Sequence, residues 1–200
     1  MLVVDVETTG VSAWKNSLVS VGAVDFENPS RQFYEECGAW EGAEIDPVAL
    51  EINGFSKEKL LHGGKQSIRE MLLKFIEWVK KSEDKTIAGH NPAFDFDFLN
   101  VAAKKNGLSL PLGRRTVDLH SVCFTHIKGR GLTPPLYEGK SSLNSDAVHR
   151  YVGLPEEPRP HIAITGAKME AEALSRLIKG EGLLSEFANY KLPSYLRKIN

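Results

Sequence analysis

Residues 86–102 read TIAGHNPAFDFDFLNVA. The first five, Thr86 to His90, have the length and apolar content of a short buried strand, and Asn91-Pro92 ends it in a turn. Beyond the turn, Phe94, Phe98, Leu99 and Ala102 recur at helical spacing. A strand fed directly into a helix is half of a βα unit, so this stretch predicts a parallel strand inside a sheet. Upstream lie a β-branched run (Leu2, Val3, Val4, Val6), a second strand over 17–26 in which Gly22 marks a bulge, and a third over 31–38. Together these three form a meander. Between 44 and 61, Asp46-Pro47 starts a short helix and Asn53-Gly54 stops it, whereas Ile68, Met71, Leu72, Phe75, Ile76 and Val79 form one long helical stripe.

Downstream, Val117 closes another short strand, and Asp118 caps a helix over 119–126. Residues 127–140, rich in Gly and Pro, read as a loop able to cover a site, and Met169, Ala173, Leu174, Leu177 and Ile178 make the last helical face before Gly180 and Gly182. The pattern predicts an α/β fold in which an antiparallel meander continues into parallel strands and helices flank the sheet. It forms one domain over 1–200, with a core over about 2–178 and an extension over 183–200, and has no internal repeat. In such sheets ligands collect at the carboxyl ends of strands.

Composition narrows the function classes. With 200 residues, 42% of them hydrophobic and a net charge of -1, the chain has material for one core and lacks the excess of positive charge of a protein that coats DNA. A nuclease gripping only a strand end needs local charge, so that class stays open. Two cysteines, Cys37 and Cys123, cannot build a disulfide framework. The opening MLVVD lacks a basic segment and a long apolar run, and no stretch approaches the roughly 20 apolar residues of a membrane helix. The expectation is a cytoplasmic protein with no membrane partner.

Asp5-Val6-Glu7-Thr8-Thr9-Gly10 places two acids at alternate positions at the end of the first strand, where a period of two points both to one face. Adjacent anions repel unless a cation separates them, and oxygen donors suit Mg²⁺ or Mn²⁺. Two surface acids at a solvated strand end are the plainer alternative for this pair taken alone. Asp95 and Asp97, taken alone, would complement the positive end of a helix.

The second segment changes that weighting. Asn91, Phe94, Asp95, Phe98 and Leu99 match the motif N-x-x-F-D-x-x-F-L of the DEDDh, or DnaQ-like, 3′-to-5′ exonuclease superfamily, and Asp5 to Gly10 match its D-x-E-T-T-G motif. His161 and Ala163 match H-x-A-x-x-D, and Leu143 to Gly153 resembles the family's intervening helix. The resemblance spans about 2–178. It implies a ribonuclease H-like fold and two-metal hydrolysis at the 3′ ends of single-stranded DNA or RNA, releasing nucleoside monophosphates. In that scheme Asp5 bridges two Mg²⁺ or Mn²⁺ ions, Glu7 holds the ion that activates water, Asp95 supports the second ion, and His161 takes the water's proton. Thr8, Thr9, Gly10, His90 and Asn91 are the expected substrate-binding neighbours.

Gly166 stands where the motif's last acid belongs. The chain is then an inactivated variant, a natural member that binds nucleic-acid ends or nucleotides without turnover, or an enzyme with a substitute ligand. Glu170, one turn further along the same helical face, is the substitute the sequence offers. Lys104, Lys105, Arg114, Arg115, Lys128, Arg130, Lys140, Arg150 and Arg159 are candidate backbone contacts, and Phe94, Phe98 and Trp14 candidate stacking residues, with Phe94 and Phe98 equally readable as core. The aromatics of Leu183 to Tyr195 would pack on the domain or on a second copy. Proofreading would call for a separate polymerase partner.

Overall fold

The computed structural model describes residues 1–197. Expectations for the end of the 183–200 extension, at 198–200, lie outside the described residues. Three strands open the chain: β1 (Leu2–Thr8), β2 (Leu18–Asp25) and β3 (Gln32–Glu36). They pair antiparallel, and β4 (Ile87–Gly89) and β5 (Thr116–Asp118) then add in parallel on the far side of β1. The sheet order is β3-β2-β1-β4-β5, so β1 is central and its carboxyl end sits where antiparallel pairing meets parallel.

Helices form where the caps and stripes direct them. Asp46 accepts the Val48 amide and Pro47 opens α1 (Pro47–Asn53), which Gly54 closes at φ 71°. Ser67 and Glu70 form a reciprocal capping box for α3 (Ile68–Lys80), worth about 1 kcal/mol. Between them lies a short helix the sequence reading missed, α2 (Lys57–His62), which buries only Leu60. Next come α4 (Pro92–Lys105) and α5 (Leu119–Gly129), the latter capped by Asp118 as expected. The 127–140 loop is shorter than expected, because α5 runs to Gly129 and an exposed hairpin, β6 (Leu136–Tyr137) and β7 (Lys140–Ser141), occupies its second half. Two more helices, α6 (Ser145–Tyr151) and α7 (Ala163–Ile178), complete the set.

The sheet separates two cores. Val4 and Val6 of β1 face Met71, Leu72 and Phe75 of α3 and Leu99 of α4, while Val3 faces Leu119 and Cys123 of α5 and Ala167 and Leu174 of α7. Each such side chain, fully buried, contributes about 1.5–3 kcal/mol. Because side chains alternate along a strand, Asp5 and Glu7 share the face of Val3, under α7. The bulge expected at Gly22 is absent: Gly22 pairs in register with Asp5, and the break falls between Glu7 and Thr8. Gly22 has a different use. A Cβ there would lie 2.1 Å from the Ala163 carbonyl carbon, so the start of α7 rests directly on the backbone of β2.

Candidate active site

Four elements converge at the end of β1. The strand presents Asp5 and Glu7, and α4 brings Asp95 in its first turn, where the carboxylate accepts the Val6 amide at 3.0 Å. Seated on Gly22, α7 carries Gly166 and Glu170 over the strand, and the preceding segment adds His161, whose amide donates to the Ile52 carbonyl at 2.9 Å. The fourth is the 155–160 loop, which inserts Glu157. Its amide donates to Asp146 Oδ1 at 3.1 Å, tying the loop to the start of α6.

Five carboxylates, with Glu7, Asp95 and Glu170 buried and Asp5 and Glu157 half-buried, therefore gather at one place, and no Lys or Arg among the described residues pairs with them. Burial, and then the charges of Glu170, Asp95, Glu7 and Glu157, push Asp5 well above the usual carboxylate range. Burial and then Glu157 and Asp95 carry Glu7 up to about 8, against the pull of the Asn53 amide. Burial takes Asp95 up to about 7 despite its bond from Val6. Glu157 is pushed up to about 7 by burial and then Asp146, and Glu170 is raised well above the usual carboxylate range by burial and then Asp95. Glu157 Oε1 and Glu170 Oε2 are fully covered and have no hydrogen-bond partner among the described residues. His161 sits at the rim, Nδ1 3.9 Å from Glu157 Oε2, and burial followed by the charge of Arg159 lowers its pKa.

Among the described residues no three His, Cys, Asp or Glu side chains form a preassembled metal cage. The donor set still fits a hard divalent ion: every donor is a carboxylate oxygen, the charges are all of one sign, and two buried oxygens lack any other partner.

The remaining expected residues divide between structure and surface. Thr9 is fully buried, its hydroxyl donating to the Glu44 carbonyl and accepting the Ser17 amide, and the Thr8 hydroxyl donates to the Gly10 carbonyl. Both hydroxyls are thus committed to the turn after β1. Gly10 closes that turn against Asn16, whose side chain a Cβ would strike at 2.5 Å. His90 Nε2 lies 3.0 Å from the Leu143 carbonyl, and Asn91 is exposed, with a left-handed backbone at φ 56°. Phe98 is core, Phe94 is partly buried, and Trp14 is exposed. A cleft of about 230 Å³ beside α4 is lined by Val11, Trp14, Phe94, Lys104 and Arg114. Of the other basic candidates, Lys105 lies over the Trp40 ring, Arg130 over Tyr195, and Arg150 pairs with Glu156.

Glu157 is the residue the sequence reading missed. It sits in Glu156-Glu157-Pro158-Arg159-Pro160, where no period signals a face, and the one available clue was an acid just upstream of His161 in a chain lacking the acid at 166.

Comparison with known proteins agrees with this architecture. The family model described as an exonuclease, of ribonuclease T type, matches residues 2–174. The 3′-5′ DNA exonuclease Cap18 of Escherichia coli is 32% identical over 182 residues, 88% of this chain and 89% of that one. Ribonuclease T of Haemophilus influenzae is 28% identical over 119 residues, 54% of this chain, and the match spans about half of that relative, 52%. Among solved structures, the nuclease domain of 3′hExo, a DEDDh family member bound to rAMP, superposes with a TM-score of 0.69 at 13% identity, covering 92% of this chain and 93% of that one. The expected ribonuclease H-like layering is thus the observed fold. No helix among the described residues is long and apolar enough to cross a membrane.

Proposed function

The chain belongs to the DnaQ-like family of 3′-to-5′ exonucleases, metal-dependent nucleases, and we propose on that premise that it removes nucleoside monophosphates from 3′ ends of single-stranded nucleic acid. The observation that carries the reading is the set of buried, mutually repelling carboxylates at the end of β1, with His161 at its rim. Cap18, the relative matched over most of its length, is a DNA exonuclease, which favours DNA as the first substrate to test.

Asp5, central on β1 and acted on by all four of the other acids, would hold both of two Mg²⁺ or Mn²⁺ ions, Glu7 would hold one of them, and Asp95 would steady the second. Bound there, these ions would supply charge stabilisation to the attacking and leaving oxygens of an in-line displacement. Asp95 is kept in place by its bond from Val6, so α4 cannot drift from β1 without losing it. His161, with its pKa lowered, is neutral near pH 7 and able to accept the proton of the attacking water. Lys104, Arg114 and the exposed Trp14 line one cleft beside α4, the helix that carries Asp95, and would grip the strand behind its end by charge and stacking.

The test is a time course of 3′-end shortening on 5′-labelled single-stranded DNA and RNA, with Mg²⁺ and with Mn²⁺. Laddering that Asp5→Ala lowers by about 10³-fold or more is the expected result. His161→Ala should cost about 10²–10⁴-fold while leaving Mn²⁺ uptake intact; loss of both together removes the proton-accepting role. Gly166 favours a second reading, a module that binds ends without turnover. Retention of labelled oligonucleotide with no shortening in either metal would establish that reading.

A further inference from the structure

Whether the site has a full set of acids turns on Gly166, and resting on the exonuclease reading, we propose that Glu157 supplies the carboxylate that position lacks. A Cβ built at Gly166 would have as its nearest neighbours Asp5 Oδ2 at 2.4 Å, Asp5 Cγ at 3.0 Å and Glu157 Oε1 at 3.3 Å. The Glu157 oxygen thus borders the volume into which a side chain at 166 would project, on the Asp5 side of the site. That oxygen is the buried one without a partner, on a side chain only 10% exposed. A carboxylate can be kept so far from water at a tolerable cost only if a donor or a cation completes it, and around Glu157 Oε1 the described residues provide no donor.

The position is built, because the backbone on both sides of Glu157 is anchored. The Glu157 amide bonds to Asp146, and four residues later the His161 amide bonds to Ile52. The other oxygen of Glu157 faces His161 Nδ1 at 3.9 Å, so one carboxylate borders both the metal position beside Asp5 and the imidazole. An acid projecting from α7 at position 166 would be fixed by helix geometry; here the acid comes from the preceding loop, and the glycine leaves it room.

Glu170, the substitute the sequence offered, also acts on Asp5, more strongly than Glu157 does, but it is not among the three nearest neighbours of a Cβ at 166. Its Oε2 lies 3.0 Å from a Cβ built at Gly89, at the end of β4 and beside Asp95. It adds a fifth acid on the α4 side of Asp5 and leaves the position beside Gly166 to Glu157.

The experiment is calorimetric titration of Mn²⁺ into the metal-free chain, its Glu157→Gln and Glu157→Asp variants, and Glu170→Gln for comparison, with melting curves for each. Glu157→Gln should weaken Mn²⁺ binding at the tighter site by at least about tenfold. It should also shrink the Mn²⁺-induced rise in Tm and melt no lower than the parent without metal, since it removes a charge from a repelling cluster. Glu157→Asp keeps the charge on a shorter arm and should fall between parent and Glu157→Gln. Mn²⁺ affinity within twofold of the parent in both Glu157 variants would overturn the assignment, as would a parent that takes up no Mn²⁺. A chain that binds Mn²⁺ through Glu157 but shortens neither DNA nor RNA would refute the exonuclease reading and leave this assignment standing.

Discussion

One helix, α7, carries buried charge at two places, at its middle and toward its C-terminus, and the two are treated oppositely. Toward the C-terminus, Glu172 and Arg176 are fully buried and every charge is answered. Arg176 Nε bonds Glu172 Oε1 at 2.7 Å, its terminal nitrogens reach the Val152 and Tyr190 carbonyls at 3.0 Å, and Glu172 Oε2 accepts the Leu183 and Leu184 amides. This knot seats the chain beyond α7, so that Phe187 and Leu196 pack on the domain's own core while Tyr190 and Tyr195 stay partly exposed. At the middle of the helix, Glu170 lies among Asp5, Asp95 and Glu157, acids that no Lys or Arg pairs with among the described residues. Desolvation is costly at both places. At one the fold supplies the compensating cation as an arginine; at the other it leaves that compensation to whatever binds.

The sharpest way to break this contrast is to make the first place resemble the second. Arg176→Leu strands Glu172 in the core and should cost about 3–5 kcal/mol, which at about 2–4 °C per kcal/mol for a domain of this size lowers Tm by roughly 6–20 °C. Glu172→Leu combined with Arg176→Leu should recover much of that loss. A single-variant cost below about 1 kcal/mol in urea unfolding would show that the pair is not what holds this end together.

A smaller effect should appear as pH changes. Glu7 near 8, and Asp95 and Glu157 near 7, are acids whose folded pKa exceeds the unfolded one, so the native chain holds more protons than the unfolded chain between those values. Their contribution is therefore fully present below about pH 4 and lost as pH rises through about 7 to 8. Metal-free Tm should fall between pH 6 and 8.5, and saturating Mn²⁺ should flatten the fall because ions take the place of the protons. A metal-free Tm that holds steady or climbs over that range would contradict the account of the acid cluster. Smallest is Gly166→Ala, whose methyl must displace Asp5: about 1–3 kcal/mol, read together with weaker Mn²⁺ binding. If neither changes, Asp5 does not fill that space.

What was legible in the sequence follows from how each feature is encoded. The α3 stripe and the β1 and β2 runs are periodic signals repeated over many residues, and the caps Asp46 and Asp118 use local chemistry readable from a few letters. The α2 helix escaped because a six-residue helix burying one leucine carries almost no period, and the β6–β7 hairpin because its two-residue strands are exposed. Asp5, Glu7, Asp95 and His161 could be picked out as candidates because each lies in a compact motif. Glu157 depends on how a proline-flanked loop folds back over α6, a tertiary fact with no local signature. The commitment of the Thr9 hydroxyl to Glu44 and Ser17 was hidden for the same reason, since its partners lie elsewhere in the chain.

Gly22 has no functional group and touches no candidate substrate, yet α7 can lie on β2 only because a hydrogen stands there in place of a methyl. The distance between the acids on β1 and the residues on α7 is therefore written partly in an absence. In a scan of all single substitutions Gly22 would rank with the carboxylates among the least tolerant positions, and a ranking built on chemistry alone would pass over it.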